Sequence, residues 1–240
     1  MSTEGGPTVA VACYPSTLEP TAGWVTVGID VLRATTTAVT AVAAGHRCFP
    51  VGSLEAAVPL AARLPDPLLV GELGGHMPYG FHLQNSPVEM ERRANSNRPV
   101  ILLSTSGTRL LSEAAVAGTT FAACLRNARA QARWLVGRHE RVLLLAGESR
   151  GEFREEDRLC CARIAKALIE SGYRPASAFV EELVKHWGDA PDDAFLDGHS
   201  VRYLTDTGQY HDVDFTLAHI DDLDAVYELR DGELLRVDGG

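Results

Sequence analysis

The chain has 240 residues, 45% hydrophobic and 22% charged, enough apolar material for the core of one compact α/β unit or two intimate subdomains. A formal net charge of -10 argues against a nucleic-acid footprint, which needs a basic patch or stripe. There is no run of 18 apolar residues and no basic-then-apolar leader in "MSTEGGPTVAVACYP", and Cys13, Cys48, Cys124, Cys160 and Cys161 form no CxxC pair; the expectation is a cytoplasmic protein with free thiols and no membrane segment.

The first strong element is "WVTVGIDVLRATTT", an apolar run that reads as a strand and passes into a helix over about 34–44. A helix over 53–63 follows, then the strand and loop "PLLVGELGGHMPYG". "PVILLSTSGTRLL" repeats the grammar, with a strand at 100–103 and a helix over 107–117; a helix over 124–137 comes next. "RVLLLAGESRGEFREED" supplies a strand at 142–145 and leads into a helix over 154–171. Short Val- and Leu-rich runs alternating with helices suit a parallel sheet buried on both faces. Gly45, Gly118 and Gly172 stand just past three helix patterns, where a left-handed residue is wanted. From about 186 the polar, acidic "HWGDAPDDAFLDGHS" reads as a surface connection, and "AVYELRDGELLRV" as a hairpin turning at Asp231-Gly232.

In open α/β sheets ligands bind beyond the carboxyl ends of the strands. Four runs deliver polar groups there: Asp30 and Arg33; Glu72; Ser104 to Thr108, including Ser106 and Gly107; and Glu148 to Asp157. Carboxylates at such a mouth suit Mg²⁺, which takes one or two of them with phosphate and water. Arginine offers a planar fork to phosphate, and a Ser-Gly-Thr turn at a helix start offers hydroxyl and amide donors. Each feature has a plainer reading beside it. Asp30 can cap the following helix, Thr35 to Thr37 can pack as β-branched residues, and the acidic helix start can complement the helix dipole. Recurrence at one sheet edge is what favours a site.

Several chemistries are closed. A haloacid-dehalogenase type site at Asp30 needs an aspartate at 32, where Leu32 stands. CxxxxxR fails at every cysteine, and no GxxxxGK[ST], GxSxG or HExxH occurs. The eight histidines show no metal-ligand spacing.

"IDVLRATTTAVTAVAAG", "GFHLQNSP", "STSGTRLL", "NARAQA" and "GEFREEDRLCCA" together resemble the 2-phosphosulfolactate phosphatase (ComB-like) family, strongly over residues 24–173. The resemblance implies a three-layer α/β/α fold of two related α/β subdomains, roughly 1–118 and 119–240, with a largely parallel or mixed sheet. It also implies a homodimer and Mg²⁺-dependent hydrolysis of a small anionic phosphomonoester. On this reading Asp30, Glu72 and Asp157 hold or orient the metal, and Arg33 clamps the phosphoryl group. Thr35, Ser86, Ser106, Gly107 and Thr108 add phosphate contacts, and Asn85 and Asn127 orient substrate or water. Asp30 is left open as ligand, base or nucleophile, and Cys160 reads as packing. Where the family carries arginine, aspartate and asparagine, this chain has Leu73, His82 and Ser106. The alternatives are the same scaffold used for phosphate elimination or transfer, and a non-catalytic phosphate-ester-binding protein.

Overall fold

The computed structural model describes residues 6–15, 23–94, 96–149 and 151–237; the first five residues of the N-terminal stretch lie outside them. Its strands are β1 (Thr8–Tyr14), β2 (Val25–Ile29), β3 (Cys48–Val51), β4 (Leu68–Gly71), β5 (Val100–Leu103), β6 (Thr120–Ala123), β7 (Arg141–Ser149), β8 (Glu152–Phe153), β9 (Arg174–Pro175), β10 (Val226–Arg230) and β11 (Glu233–Val237). Its helices are α1 (Ala34–Ala43), α2 (Leu54–Ala61), α3 (Pro87–Glu91), α4 (Gly107–Ala117), α5 (Ala128–Leu135), α6 (Glu155–Glu170), α7 (Ala178–Trp187), α8 (His199–Asp206) and α9 (His211–Ala218).

The strands form one mixed sheet in the order β4-β5-β3-β11-β10-β6-β2-β7-β1-β9, with β8 paired to β7. β1, β2, β6 and β7 pair in parallel with one another, as do β3, β4 and β5. The C-terminal hairpin is antiparallel and joins the two groups, β10 pairing with β6 and β11 with β3. Its turn is as expected: Asp231 and Gly232 both have positive φ, 50° and 80°, as a type I′ turn requires. Because β2 pairs with both β6 and β7, the ladder is continuous across residue 118.

Alternation along the strands builds the two faces. Val25, Val27 and Ile29 of β2 join Leu144 and Ala146 of β7 in a core completed by α5, α6 and α7. Leu145, Ala122 and Cys124 face the other way, into a core with α1 and α4. On that face Gly28 has no side chain because a Cβ there would stand 2.5 Å from Leu111 and 2.6 Å from Leu110. α4 therefore presses directly on the sheet backbone, one use of glycine inside a strand. Residues 100–103 are buried, as are Val142, Leu144 and Leu145, with Leu143 partly so.

Three local expectations are corrected. Gly45 and Gly172 take positive φ, 91° and 96°, but Gly118 is extended at φ 161°, because the chain passes directly from α4 into β6. α5 starts at Ala128 rather than near 124, since Cys124 to Asn127 form a turn in which the Asn127 carboxamide accepts from the Cys124 amide at 2.9 Å. The segment beyond 186 is more than a connection: Phe195 is fully buried, and α8 and α9 follow. Each of those helices has only eight residues, too short for its narrow apolar stripe to stand out against the polar background. Among the described residues no helix is long and apolar enough to cross a membrane.

Candidate active site

Beyond β2 the chain turns through residues 30–33 into α1, and its own side chains hold that turn. The Thr35 hydroxyl accepts from the Asp30 amide at 2.9 Å and donates to the Asp30 carbonyl at 2.8 Å, and Thr36 donates to the Val31 carbonyl at 2.6 Å. Asp30 Oδ1 accepts from the Ala34 amide at 3.0 Å. One oxygen of Asp30 thus serves the helix start, as a cap does. The residue also lines a cavity of about 650 Å³.

Glu72 after β4, Thr105 and Ser106 after β5, Gly147 of β7, and Glu156 and Asp157 at the start of α6 line the same cavity. The expected convergence of strand ends is therefore present. Glu72 is fixed by donors on both oxygens: the Thr105 amide (2.7 Å) on Oε1, the Gly75 amide (2.7 Å) and Thr105 hydroxyl (2.9 Å) on Oε2. Asp157 Oδ1 accepts from the Val31 amide at 2.7 Å, tying α6 to the β2–α1 turn. Gly107 matters through the space it leaves, because a Cβ there would stand 2.3 Å from Asp30 Oδ2 and 2.6 Å from the Ala34 Cβ. Gly107→Ala is expected to cost about 1–3 kcal/mol of stability through overpacking and to displace the Asp30 carboxylate. Chemical denaturation alongside phosphate-release kinetics measures both; a variant equal to wild type in each would refute the account.

The remaining expected site residues are placed elsewhere. Thr35, Gly107, Thr108, Asn85, Ser86 and Asn127 are buried, and none lines the cavity. The Thr108 hydroxyl closes the turn after β5, accepting from the Ser104 amide at 2.7 Å. Asn127 anchors the turn before α5 and reaches the Ala225 carbonyl at 3.4 Å. Ser86 caps α3 and donates to Asp212 Oδ1 at 2.6 Å. Leu73 and His82 lie outside the cavity lining, whereas Ser106 is part of it and donates to the Glu148 carbonyl at 3.0 Å. Cys160 is fully buried in the core, where desolvation pushes its thiol well up, and none of the five cysteines forms a disulfide.

Two sets of residues were not legible in advance. α8 forms a wall of the cavity through His199, Ser200, Arg202, Tyr203 and Asp206. The other is Asp212 of α9, fully buried, which accepts at 2.7 Å from Nη1 of Arg33, a residue itself only 5% exposed. Arg154 also lines the cavity and donates to Glu152 at 2.6 Å. It lies within the span Glu148 to Asp157 that the sequence places at the sheet edge.

The cavity is short of positive charge: Asp30, Glu72, Glu152, Glu156, Asp157 and Asp206 face Arg33, Arg154 and Arg202. Burial pushes the Asp30 carboxyl up to about 6, against the Ala34 amide that draws it down, and the charge of Glu72 adds to the rise. Burial likewise lifts Glu156 to about 7, and Asp157 goes well above the usual carboxylate range through burial and the nearby Glu156 and Asp30. Glu156 Oε2 is buried with no hydrogen-bond partner among the described residues.

These features fit a divalent cation, whose charge would relieve both the repulsion and the unmet oxygen. Among the described residues no three acidic, imidazole or thiol groups are arranged to hold a metal ion. Asp30, Glu72 and Asp157, expected to hold or orient a metal, all line the cavity without forming such a group, and Mg²⁺ is commonly satisfied by one or two carboxylates with phosphate and water.

Comparison with known proteins places this geometry in context. Residues 14–232 match the 2-phosphosulpholactate phosphatase family. A probable 2-phosphosulfolactate phosphatase of Carboxydothermus hydrogenoformans is 34% identical over 95% of this chain and 96% of its own length. Proteins of the same description from Caldanaerobacter subterraneus subsp. tengcongensis and Symbiobacterium thermophilum are 30% and 39% identical, covering 85% and 62% of this chain and 87% and 66% of their own. A match spanning nearly all of the sequence, with one relative aligned almost end to end, establishes that the chain belongs to the 2-phosphosulpholactate phosphatase family.

Proposed function

We propose that the protein is a Mg²⁺-dependent phosphatase that hydrolyses a small anionic phosphomonoester, a 2-phosphosulfolactate-like acid being the class in its relatives' names. The observation that carries this reading is the charge balance of the cavity, where six carboxylates face three guanidiniums. An anionic ester meets net repulsion there unless a cation accompanies it. Asp30 and Asp157 would hold the metal, which would supply charge to offset that of the phosphate and make water a better nucleophile.

The chain's own groups supply the rest. Arg33 lines the cavity with a guanidinium whose planar fork suits two phosphate oxygens. The first turn of α4 adds the positive end of its dipole beside Ser106. Asp30 and Glu156, whose carboxyls burial lifts above their ordinary values, are the groups placed to take a proton from water and to give one to the leaving oxygen. A homodimer in the cytoplasm belongs to the same proposal, and sedimentation of the purified chain tests the dimer.

The experiment is release of phosphate from a panel of small phosphomonoesters in ¹⁸O-water, with Mg²⁺ and with EDTA. Hydrolysis puts the label in phosphate and leaves the organic product undehydrated. Full turnover in EDTA would remove the metal from the proposal, and unlabelled phosphate with a dehydrated product would replace hydrolysis by elimination.

A further inference from the structure

Two arginines follow corresponding turns of the sheet, and the structure treats them differently. Arg126, after β6, is 5% exposed and fully engaged: Nε and Nη2 donate to Asp222 at 3.0 and 2.6 Å, and Nη1 to Thr40 at 2.9 Å. Arg33, after β2, is equally buried but is held by one corner. Its Nη1 donates to Asp212 Oδ2 at 2.7 Å and to Gln209 Oε1 at 2.6 Å. Among the described residues no side-chain hydrogen bond involves its Nε or Nη2, and the residue lines the cavity.

Asp212 is itself immobilised. It is fully buried, and its second oxygen accepts from the Ser86 hydroxyl at 2.6 Å. Ser86 in turn caps α3, accepting from the Glu89 amide at 3.4 Å. A rigid, planar guanidinium fixed at one nitrogen by a fixed carboxylate has the direction of its other N–H groups settled in advance. Ion pairs buried in this way add little net stability, so the benefit lies in orientation.

We infer that Asp212, anchored by Ser86, is a positioning residue that aims Arg33 at the phosphoryl group. The inference rests on the proposed reading of Arg33 as the phosphate donor and goes beyond it, because it gives Ser86 and α9 a role exerted through Arg33.

Calorimetric titration of inorganic phosphate with Mg²⁺ present tests it on wild type, Arg33→Ala, Asp212→Asn, Ser86→Ala and the double variants. Asp212→Asn keeps the side-chain volume and is expected to weaken phosphate binding roughly tenfold or more, the worth of a charged hydrogen bond. Ser86→Ala is expected to weaken it less. In the Arg33→Ala background both changes should have no further effect, since a positioning role acts only through that guanidinium. Wild-type binding by Asp212→Asn, or losses that add fully to that of Arg33→Ala, would overturn the inference. Should Asp212→Asn not fold, the Ser86→Ala pair decides by the same non-additivity. Wild-type binding by Arg33→Ala is a separate outcome: it removes the phosphate role of Arg33 itself, and the inference with it.

Discussion

Asp30→Asn is expected to lower kcat/KM for phosphate release by roughly 10²-fold or more, the scale seen when a charge-stabilising group is removed. The substitution is nearly isosteric, and the asparagine oxygen can still accept from the Ala34 amide, so the β2–α1 turn survives. What is lost is a negative charge on the cavity wall, beside Glu72 and the first turn of α6. Steady-state kinetics on a variant with native circular dichroism and an undiminished melting temperature make the measurement. Wild-type kcat/KM in such a variant would mean that the reaction centre lies elsewhere.

The metal-free protein should lose stability as the pH rises from about 4 to about 7, the reverse of ordinary acid denaturation. Asp30 and Glu156 have folded values near 6 and 7 against ordinary values of 3.8 and 4.5, and Asp157 is raised further. The folded state therefore binds protons more tightly than the unfolded chain, so its advantage is complete below the ordinary values. That advantage drains away as the pH passes through the folded ones. Each unit of displacement is worth roughly 1.4 kcal/mol, so Asp30 and Glu156 each contribute on the order of 3 kcal/mol. Glu55, Glu113 and Glu152 are shifted downward and act in the opposite sense, but they stand near the surface where water screens them. Thermal melts in EDTA across this range show the trend, and Asp157→Asn should flatten it. Adding Mg²⁺ should stabilise the protein most at the alkaline end, where the carboxylates are charged and able to bind. A metal-free melting temperature that climbs steadily from pH 4 to 7 would contradict the electrostatics of the cavity.

Much of the scaffold was legible because its signals are local. Val100 to Leu103 and Val142 to Leu145 are runs too short for helices, and both are strands. The Asp231-Gly232 dipeptide supports the left-handed conformations its turn requires. The helices without a counterpart in the sequence reading, α3, α7, α8 and α9, have 5, 10, 8 and 8 residues, and the burial of such short elements depends on partners brought from elsewhere. Thr35 is expected from the sequence as a phosphate donor, and in the structure its hydroxyl serves the backbone of its own turn, as does that of Thr36. A hydroxyl finds the nearest unpaired backbone group before it finds a ligand.

By itself the sequence determined the α/β alternation, the strand-end placement of Asp30, Glu72, Ser106 and Asp157, and the family to which the chain belongs. Those follow from periodicity and motif order, which a linear string contains. Only the tertiary structure decided that Asp212 meets Arg33 across 179 positions, that Asp157 meets the turn of Asp30 across 126, and that α8 closes the cavity. The reason is physical: burial and charge pairing depend on which distant segments the sheet brings together. No window of residues records how far a carboxylate stands from water or from another charge.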